Sequence, residues 1–181
     1  PSRVGERVFV YQAQYGRQLG TAAQYVALDS TRAPVLPDTA SFEVGACIGI
    51  PIMTAHRCVF ADGPVADQLI LITGGAGRVG HYAIQWAHRA GARVIATASN
   101  DNDAAACRAA GAEVVVNHRE PDWGKAVLDL TGGHKVDRVI DVEFGANLPE
   151  LLHCVRIGAT IATYSSTVVP EPALPFRTMM F

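Results

Sequence analysis

The stretch ILITGGAGRVGHYAIQWAHRAGARVIATAS, residues 70–99, decides the fold. An apolar run ends at Thr73 and is followed by a glycine-rich turn at 74–77. From Arg78 onward, apolar residues recur at helical spacing until Gly91, and a second apolar run covers 93–98. A helix that joins two short apolar strands in this way predicts a βαβ unit of a parallel sheet.

The turn of this unit has the pattern G-x-G-x-x-G, with glycines at positions 75, 77 and 80. The pattern alone is a weak signal, but its place between a strand and a helix is the context that a dinucleotide-binding loop requires. Glycines let the backbone approach a pyrophosphate, and the free N–H groups of the first helical turn point at it. A tight turn that binds no ligand is the alternative.

The same alternation of strands and helices continues to the end of the chain. It predicts strands at 69–73, 93–98, 113–116, 138–142 and 160–164, with helices at 78–90, 102–110, 121–130 and 147–155. This pattern is typical of an α/β fold with a doubly wound parallel sheet. Upstream we expect strands at 6–11 and 23–28, an extended connector at 30–39, and a helical segment at 41–60 that is interrupted at Pro51.

Composition excludes several classes of partner. Of the 181 residues, 49% are hydrophobic and 18% are charged, which is typical of a packed globular protein. The net charge of −2 argues against nucleic acid or an anionic membrane as a partner, and no apolar run is long enough to cross a bilayer. Cys47, Cys58, Cys107 and Cys154 are scattered, so we expect buried thiols in a reducing, cytoplasmic compartment.

The end of the second strand bears on the choice of nucleotide. NAD sites usually place a carboxylate there, whereas this strand ends in Ala98. The absence of a carboxylate at this position permits the 2′-phosphate of NADP. Asp101 and Asp103, however, place negative charge nearby, so binding of the phosphate requires compensating cations such as Arg78 or Arg119. We find no nucleophile or metal motif, which suits hydride transfer by a bound cofactor.

These features together resemble the medium-chain dehydrogenase/reductase superfamily, and most closely its zeta-crystallin-like NADPH:quinone oxidoreductases. The resemblance extends over nearly the whole chain. It includes GERVFVY at 5–11, GIPIMTAHR at 49–57, GGAGRVGHYAIQWA at 74–87, NHRE at 117–120, GATIATYSS at 158–166 and PFRTMM at 175–180. It implies a Rossmann-type nucleotide domain preceded by part of a GroES-like β-barrel, which is the catalytic domain of the family.

The resemblance also implies a set of residues that bind NADP. The turn formed by Ala76, Gly77, Arg78 and Val79 would hold the pyrophosphate. Ser99 would lie beneath the adenine ribose, and His118 would lie near the 2′-phosphate. The nicotinamide half would be approached by Asn147, Tyr164, Ser165, Ser166 and Thr167. No catalytic residue is assigned, and no zinc ligand is expected because the segment 12–18 holds no cysteine.

Three positions depart from the family pattern. Arg78 replaces a glycine, and Asp103 stands where NADP-using relatives often have a lysine. Tyr164 and Ser165 occupy a place that commonly contains glycine, so they could crowd the nicotinamide. Neutral drift on an unaltered scaffold is the alternative explanation for all three.

The resulting hypothesis is a zinc-independent enzyme that transfers hydride from NADPH to a quinone or a related α,β-unsaturated carbonyl compound. An enoyl-thioester reductase module and a nucleotide-binding module without turnover stay open as alternatives. A methyltransferase is disfavoured because it requires an acidic residue where Ala98 stands. We expect a small-molecule substrate and a homo-oligomer, either a dimer or a tetramer.

We expect two domains within a fragment of a longer polypeptide. Residues 1–60 are predicted to form the partial GroES-like domain with its connecting helix. Residues 61–181 are predicted to form the nucleotide-binding domain, incomplete at its C-terminus because the proline-containing tail forms no sixth strand.

Overall fold

A parallel sheet of five strands organises the second half of the chain. The computed structural model describes residues 3–180. The strands, numbered along the chain, are β1 (Leu69–Ile72), β2 (Arg93–Ala98), β3 (Val114–Asn117), β4 (Val136–Asp141) and β5 (Val155–Thr163). Their order in the sheet is β3-β2-β1-β4-β5, and every pairing is parallel. The predicted α/β fold with a doubly wound parallel sheet is therefore confirmed.

Seven α-helices are present among residues 3–180. They are α1 (Phe42–Cys47), α2 (Ile50–Phe60), α3 (Arg78–Arg89), α4 (Asp101–Ala110), α5 (Trp123–Leu130), α6 (Phe144–Cys154) and α7 (Phe176–Met180). The predicted helix at 147–155 begins three residues early, at Phe144, and α7 lies in the tail where no helix was predicted. The break in the predicted segment 41–60 falls at 48–49, and Pro51 is tolerated in the first turn of α2.

The alternation of side chains in β1 explains why helices cover both faces of the sheet. Ile70 and Ile72 pack with residues of α3, α4 and the C-terminal part of α2. Leu69 and Leu71 point the other way and pack with α5 and α6. All four side chains are buried, as expected for a central strand of a doubly wound sheet.

The prediction of strands at 6–11 and 23–28 is wrong. Residues up to Met53 form a separate compact unit. Within its described part, Val8 makes one antiparallel bridge with Val35. Phe9 N–H donates to the carbonyl oxygen of Pro34 at 3.1 Å, but Pro34 has no N–H to return the bond, so the ladder does not extend. Residues 23–28 form no ladder, and Tyr25 is 90% exposed.

A buried arginine joins the sheet to the end of α2. Arg138, on β4, is 4% exposed, and its Nη1 donates to the carbonyl oxygen of Cys58 at 3.1 Å and to Asp62 Oδ2 at 3.0 Å. Its Nε is buried and has no hydrogen-bond partner among residues 3–180. The acceptors lie at the C-terminal end of α2 and just beyond it, where helix carbonyls lack intrahelical donors. Arg138, which lies within the sheet, therefore supplies a hydrogen-bond donor to a backbone carbonyl at the C-terminal end of α2.

Close packing of α5 on α6 yields a test of the fold. A Cβ on Gly124 would collide with the carbonyl oxygen of Glu150 and lie 2.8 Å from its carbonyl carbon. Alanine normally favours a helix over glycine by about 1 kcal/mol, but a backbone collision cannot be relieved by a side-chain rotation. We expect Gly124→Ala to lower the free energy of unfolding by about 3 kcal/mol, as measured by urea denaturation.

The matched control for this substitution is Gly49→Ala, because a Cβ on Gly49 meets nothing within 4 Å. Its unfolding free energy should stay unchanged or rise by up to about 1 kcal/mol through loss of unfolded-state entropy. Equal stabilities for the two variants would contradict the packing of α5 on α6.

Candidate nucleotide-binding site

A cavity of about 400 Å³ opens at the carboxyl ends of the central strands. It lies beside β1, which pairs with β2 on one side and with β4 on the other, so the order of the strands in the sheet reverses at this point. Ligands of open α/β sheets bind at such a reversal, because the loops that follow the two strands diverge there. The lining residues are Gly74, Ala76, Gly77, Arg78, Val79, Thr97, Ala98, Ser99, Asp103, His118, Val142 and Tyr164.

The glycine turn is held by its neighbour β2. Gly75 N–H donates to the carbonyl oxygen of Thr97 at 2.9 Å, and Gly74 N–H donates to the Thr97 hydroxyl at 3.0 Å. The first intrahelical bond of α3 runs from His81 N–H to the carbonyl oxygen of Gly77 at 2.8 Å. Gly77 caps the helix without a side chain, so the N–H groups of the first turn are left to bind an anion.

Two of the glycines are required by lack of space. A Cβ on Gly80 would collide with the carbonyl oxygen of Gly74 and lie 2.9 Å from Gly75 Cα. A Cβ on Gly75 would lie 2.8 Å from Cys107 Sγ and 2.9 Å from Ala96 Cβ. The turn therefore lies directly on α3, β2 and α4. This packing fixes the direction in which the helix N-terminus points.

At one end of the cavity, α4 supplies the carboxylate that β2 lacks. Ser99 Oγ donates to Asp103 Oδ2 at 2.9 Å, and Asn100 Nδ2 donates to the same oxygen at 2.8 Å. Asn100 Oδ1 in turn accepts from Asp103 N–H and caps α4. Asp103 therefore faces the cavity with a carboxylate that is already hydrogen-bonded on the side of Ser99.

Basic residues lie at the same end of the cavity. The backbone N–H of His118 donates to the carbonyl oxygen of Ala98 at 3.1 Å, and His118 and Asp103 both line the cavity. Partial desolvation and then the Arg119 guanidinium lower the pKa of His118, whereas Asp103 and the bond to Ala98 oppose this shift. Arg78 lies at the surface of the turn and lines the cavity. No hydrogen bond or ion pair of its guanidinium occurs with residues 3–180.

The other end of the cavity lies above a buried carboxylate. Asp141, at the end of β4, accepts hydrogen bonds from Thr73 Oγ1 at 2.7 Å, from Asn147 Nδ2 at 2.8 Å and from Glu143 N–H at 3.1 Å. Burial raises the pKa of Asp141, and these donors oppose the shift. Burial and the charge of Asp141 raise the pKa of Tyr164, so its phenol stays protonated.

The structure brings some of the predicted site residues together and separates others. Seven of them line the cavity: Ala76, Gly77, Arg78, Val79, Ser99, His118 and Tyr164. Asn147 binds Asp141 instead, and Ser165, Ser166 and Thr167 contact the first turn of α6 or the residue before it. These four residues do not line the cavity.

Sequence reasoning missed Thr97, Asp141 and Val142, although they share one signal. Each lies at the carboxyl end of a predicted strand next to the glycine turn. Side chains in this position meet at one edge of a parallel sheet. Glu143 was also missed, because its contacts are made with the loop 167–169, far along the chain.

Neither a metal-binding cluster nor a membrane-spanning helix occurs among the described residues. No cluster of three or more His, Cys, Asp or Glu side chains in residues 3–180 could hold a metal ion. Within the same range, none of the helices is both long enough and apolar enough to span a bilayer.

Comparison with known proteins places this geometry in a family. The family described as zinc-binding dehydrogenase matches residues 79–181. Rat quinone oxidoreductase is 31% identical over 158 residues, which cover 87% of this chain and 47% of the relative. Crotonyl-CoA reductase of Streptomyces avermitilis is 27% identical and covers 90% of this chain and 40% of the relative. The chain therefore spans about half the length of these relatives.

Solved structures give the same result. An NAD-dependent alcohol dehydrogenase superposes with a TM-score of 0.80 at 34% identity, over 88% of this chain and 47% of the other. Escherichia coli quinone oxidoreductase complexed with NADPH gives a TM-score of 0.67 at 28% identity, over 77% of this chain and 45% of the other.

The fold is that of an α/β protein with a cavity at the carboxyl ends of its parallel strands. The chain belongs to the medium-chain dehydrogenase/reductase superfamily, within the family of zinc-binding dehydrogenases, and its relatives include quinone oxidoreductases.

The charges around His118 give a test of the cavity geometry. We expect the pKa of His118 to lie below the usual histidine value, to rise in Arg119→Ala and to fall further in Asp103→Asn. The first change removes a repelling cation, and the second removes an attracting anion. Titration of the imidazole by NMR measures the shifts, with the resonance assigned by its loss in His118→Asn.

Asp101→Asn is the control for this titration, because Asp101 also lies in the first turn of α4 but does not line the cavity. It should leave the His118 titration nearly unchanged. Identical curves for Asp103→Asn and the unsubstituted protein would show that Asp103 does not face His118.

Proposed function

We propose that this chain is the nucleotide-binding part of a zinc-independent oxidoreductase that transfers hydride from NADPH to a quinone or a related α,β-unsaturated carbonyl compound. The observation that carries the proposal is the glycine turn beside the free N-terminus of α3, inside a cavity at the point where the strand order reverses. The resemblance to NADPH-complexed quinone oxidoreductase supports the choice of cofactor and reaction.

In this proposal the protein binds and orients while the cofactor supplies the redox chemistry. The first-turn N–H groups of α3 hold the pyrophosphate, and Gly80 lets the helix begin close against the turn that follows β1. Tyr164 and Val142 form the wall of the cavity on the β4 side and guide the nicotinamide half. When bound, the dihydronicotinamide supplies the hydride. We assign no protein acid for the accompanying proton.

The preference for NADPH rests on the balance of charge at the adenosine end. No carboxylate ends β2, and Arg78 and His118 line the cavity, with Arg119 next to His118. The two arginines favour a 2′-phosphate by their charge, and His118, whose pKa is lowered, adds a hydrogen-bonding ring, whereas Asp103 repels the phosphate. Arg78 has no competing partner in residues 3–180, so its charge is available to the cofactor.

Titration with NADPH and NADH tests this balance, followed by nicotinamide fluorescence. We expect tighter binding of NADPH, a loss of about tenfold in NADPH affinity in Arg78→Gly or Arg119→Ala, and a gain of about tenfold in Asp103→Asn. NADH affinity should change little, because its ribose carries no phosphate. Asp101→Asn again serves as the control, since Asp101 does not line the cavity. Equal affinities for both cofactors, unmoved by these changes, would refute the charge argument.

Turnover requires its own experiment with the intact protein. Oxidation of NADPH should be followed by loss of nicotinamide absorbance with a series of quinones and α,β-unsaturated ketones. We expect turnover with at least one of these compounds. Binding of NADPH without oxidation by any acceptor would instead favour a nucleotide-binding module without turnover.

The second candidate is an enoyl-thioester reductase, supported by the resemblance to crotonyl-CoA reductase. It uses the same cofactor cavity and differs in the acceptor. A crotonyl thioester in the same assay separates the two candidates, because a thioester reductase should prefer it to any quinone.

A further inference from the structure

One carboxylate holds the loop that follows β5. The two oxygens of Glu143, the residue before α6, accept hydrogen bonds from residues 167–169 of this loop. Oε2 accepts from the N–H and the hydroxyl of Thr167, each at 2.8 Å, and Oε1 accepts from Val168 N–H at 3.0 Å and from Val169 N–H at 3.4 Å. These bonds lower the pKa of Glu143, so the carboxylate is charged near neutral pH.

The first turn of α6 provides a second set of contacts to the same loop. Gly145 N–H donates to Ser166 Oγ at 2.9 Å, and Ser166 Oγ donates to the carbonyl oxygen of Val169 at 2.6 Å. Phe144 N–H donates to the carbonyl oxygen of Ser165 at 3.0 Å. A Cβ on Gly145 would collide with the Val169 carbonyl oxygen, so the loop lies in direct contact with the helix.

The loop is continuous with the wall of the cofactor cavity. Tyr164 lines the cavity and immediately precedes Ser165. Its N–H donates to the carbonyl oxygen of Asp141, while the Thr163 hydroxyl donates to Ser165. A shift of residues 165–169 therefore acts on Tyr164 through one peptide bond. The adenosine end, with Ser99 and His118, makes none of these contacts.

We propose that Glu143 is a positioning residue for the nicotinamide half of the cofactor, because it holds loop 165–169 on α6 and thereby fixes the cavity wall at Tyr164. The inference rests on the proposed function, since it assumes that a nicotinamide dinucleotide occupies the cavity. Glu143 itself does not line the cavity and acts only through the loop. Its effect should therefore be confined to one end of the cofactor.

The test is Glu143→Gln in the intact protein, with two ligands measured by calorimetry. Glutamine has the same shape but replaces one carboxylate oxygen by an NH₂ group, which cannot accept from the N–H donors of the loop, so the loop is held more weakly. NADPH should bind about tenfold more weakly, because only a fraction of the molecules keeps the competent wall. Binding of 2′-phospho-ADP-ribose, which lacks the nicotinamide, should change by less than about twofold.

Glu171→Gln is the matched control. It removes one negative charge from the segment that follows loop 165–169, and Glu171 makes no hydrogen bond or ion pair with residues 3–180. Both affinities should stay unchanged in this variant. Ser166→Ala removes the hydroxyl that accepts from Gly145 N–H and donates to the Val169 carbonyl oxygen, and it leaves Glu143 in place. This variant should also lose NADPH affinity selectively.

The outcomes separate the possible roles. Equal weakening of both ligands, or a large fall in the thermal unfolding midpoint, would assign Glu143 to general stability and overturn the positioning role. Unchanged affinities in Glu143→Gln and Ser166→Ala would overturn it as well. If the unsubstituted protein binds neither ligand, the proposed function itself fails, and the positioning role fails with it.

Discussion

The contact between Gly80 and the carbonyl oxygen of Gly74 is the constraint on which the site depends. No side chain fits between the first turn of α3 and the turn that follows β1, so the helix begins directly on the end of the strand. This close approach aims the free N–H groups of α3 at the cavity and leaves room there for a ligand. It also places Gly75 against Cys107 of α4, which extends the same constraint to the next βαβ unit.

Periodicity was sufficient to predict the sheet but failed in the N-terminal unit. Buried strands such as β1 and β2 have continuous apolar runs, and their partners follow at βαβ spacing, so local pattern and tertiary structure agree. The segment 6–11 has an equally good alternation, yet its partner contains Pro34, which cannot donate. A strand depends on its partner, and the alternation within one segment contains no information about that partner.

The candidate site also has a part that could be predicted from the sequence and a part that could not. The backbone part of the cavity, from Ala76 to Val79, could be predicted because a glycine pattern specifies it locally. The side-chain networks could not, because they join residues far apart in sequence: Thr73 with Asp141, and Glu143 with Thr167. Asp103 is a further example. β2 ends without an acidic residue, but Asp103 reaches the same end of the cavity from α4, where Ser99 and Asn100 orient its carboxylate.

Asp141 and Glu143 are two residues apart but act on different parts of the same wall. Asp141 is buried and binds Thr73, so it joins β1 to β4 beneath the cavity, and its charge adds to the effect of burial in raising the pKa of Tyr164. The protonated phenol of Tyr164 can donate a hydrogen bond to a phosphate, ribose or amide oxygen, and its oxygen can also accept one. Glu143 lies at the surface and binds the loop that begins one residue after Tyr164. Asp141 thus anchors the end of β4 beneath the wall, and Glu143 holds the loop that follows the wall residue Tyr164.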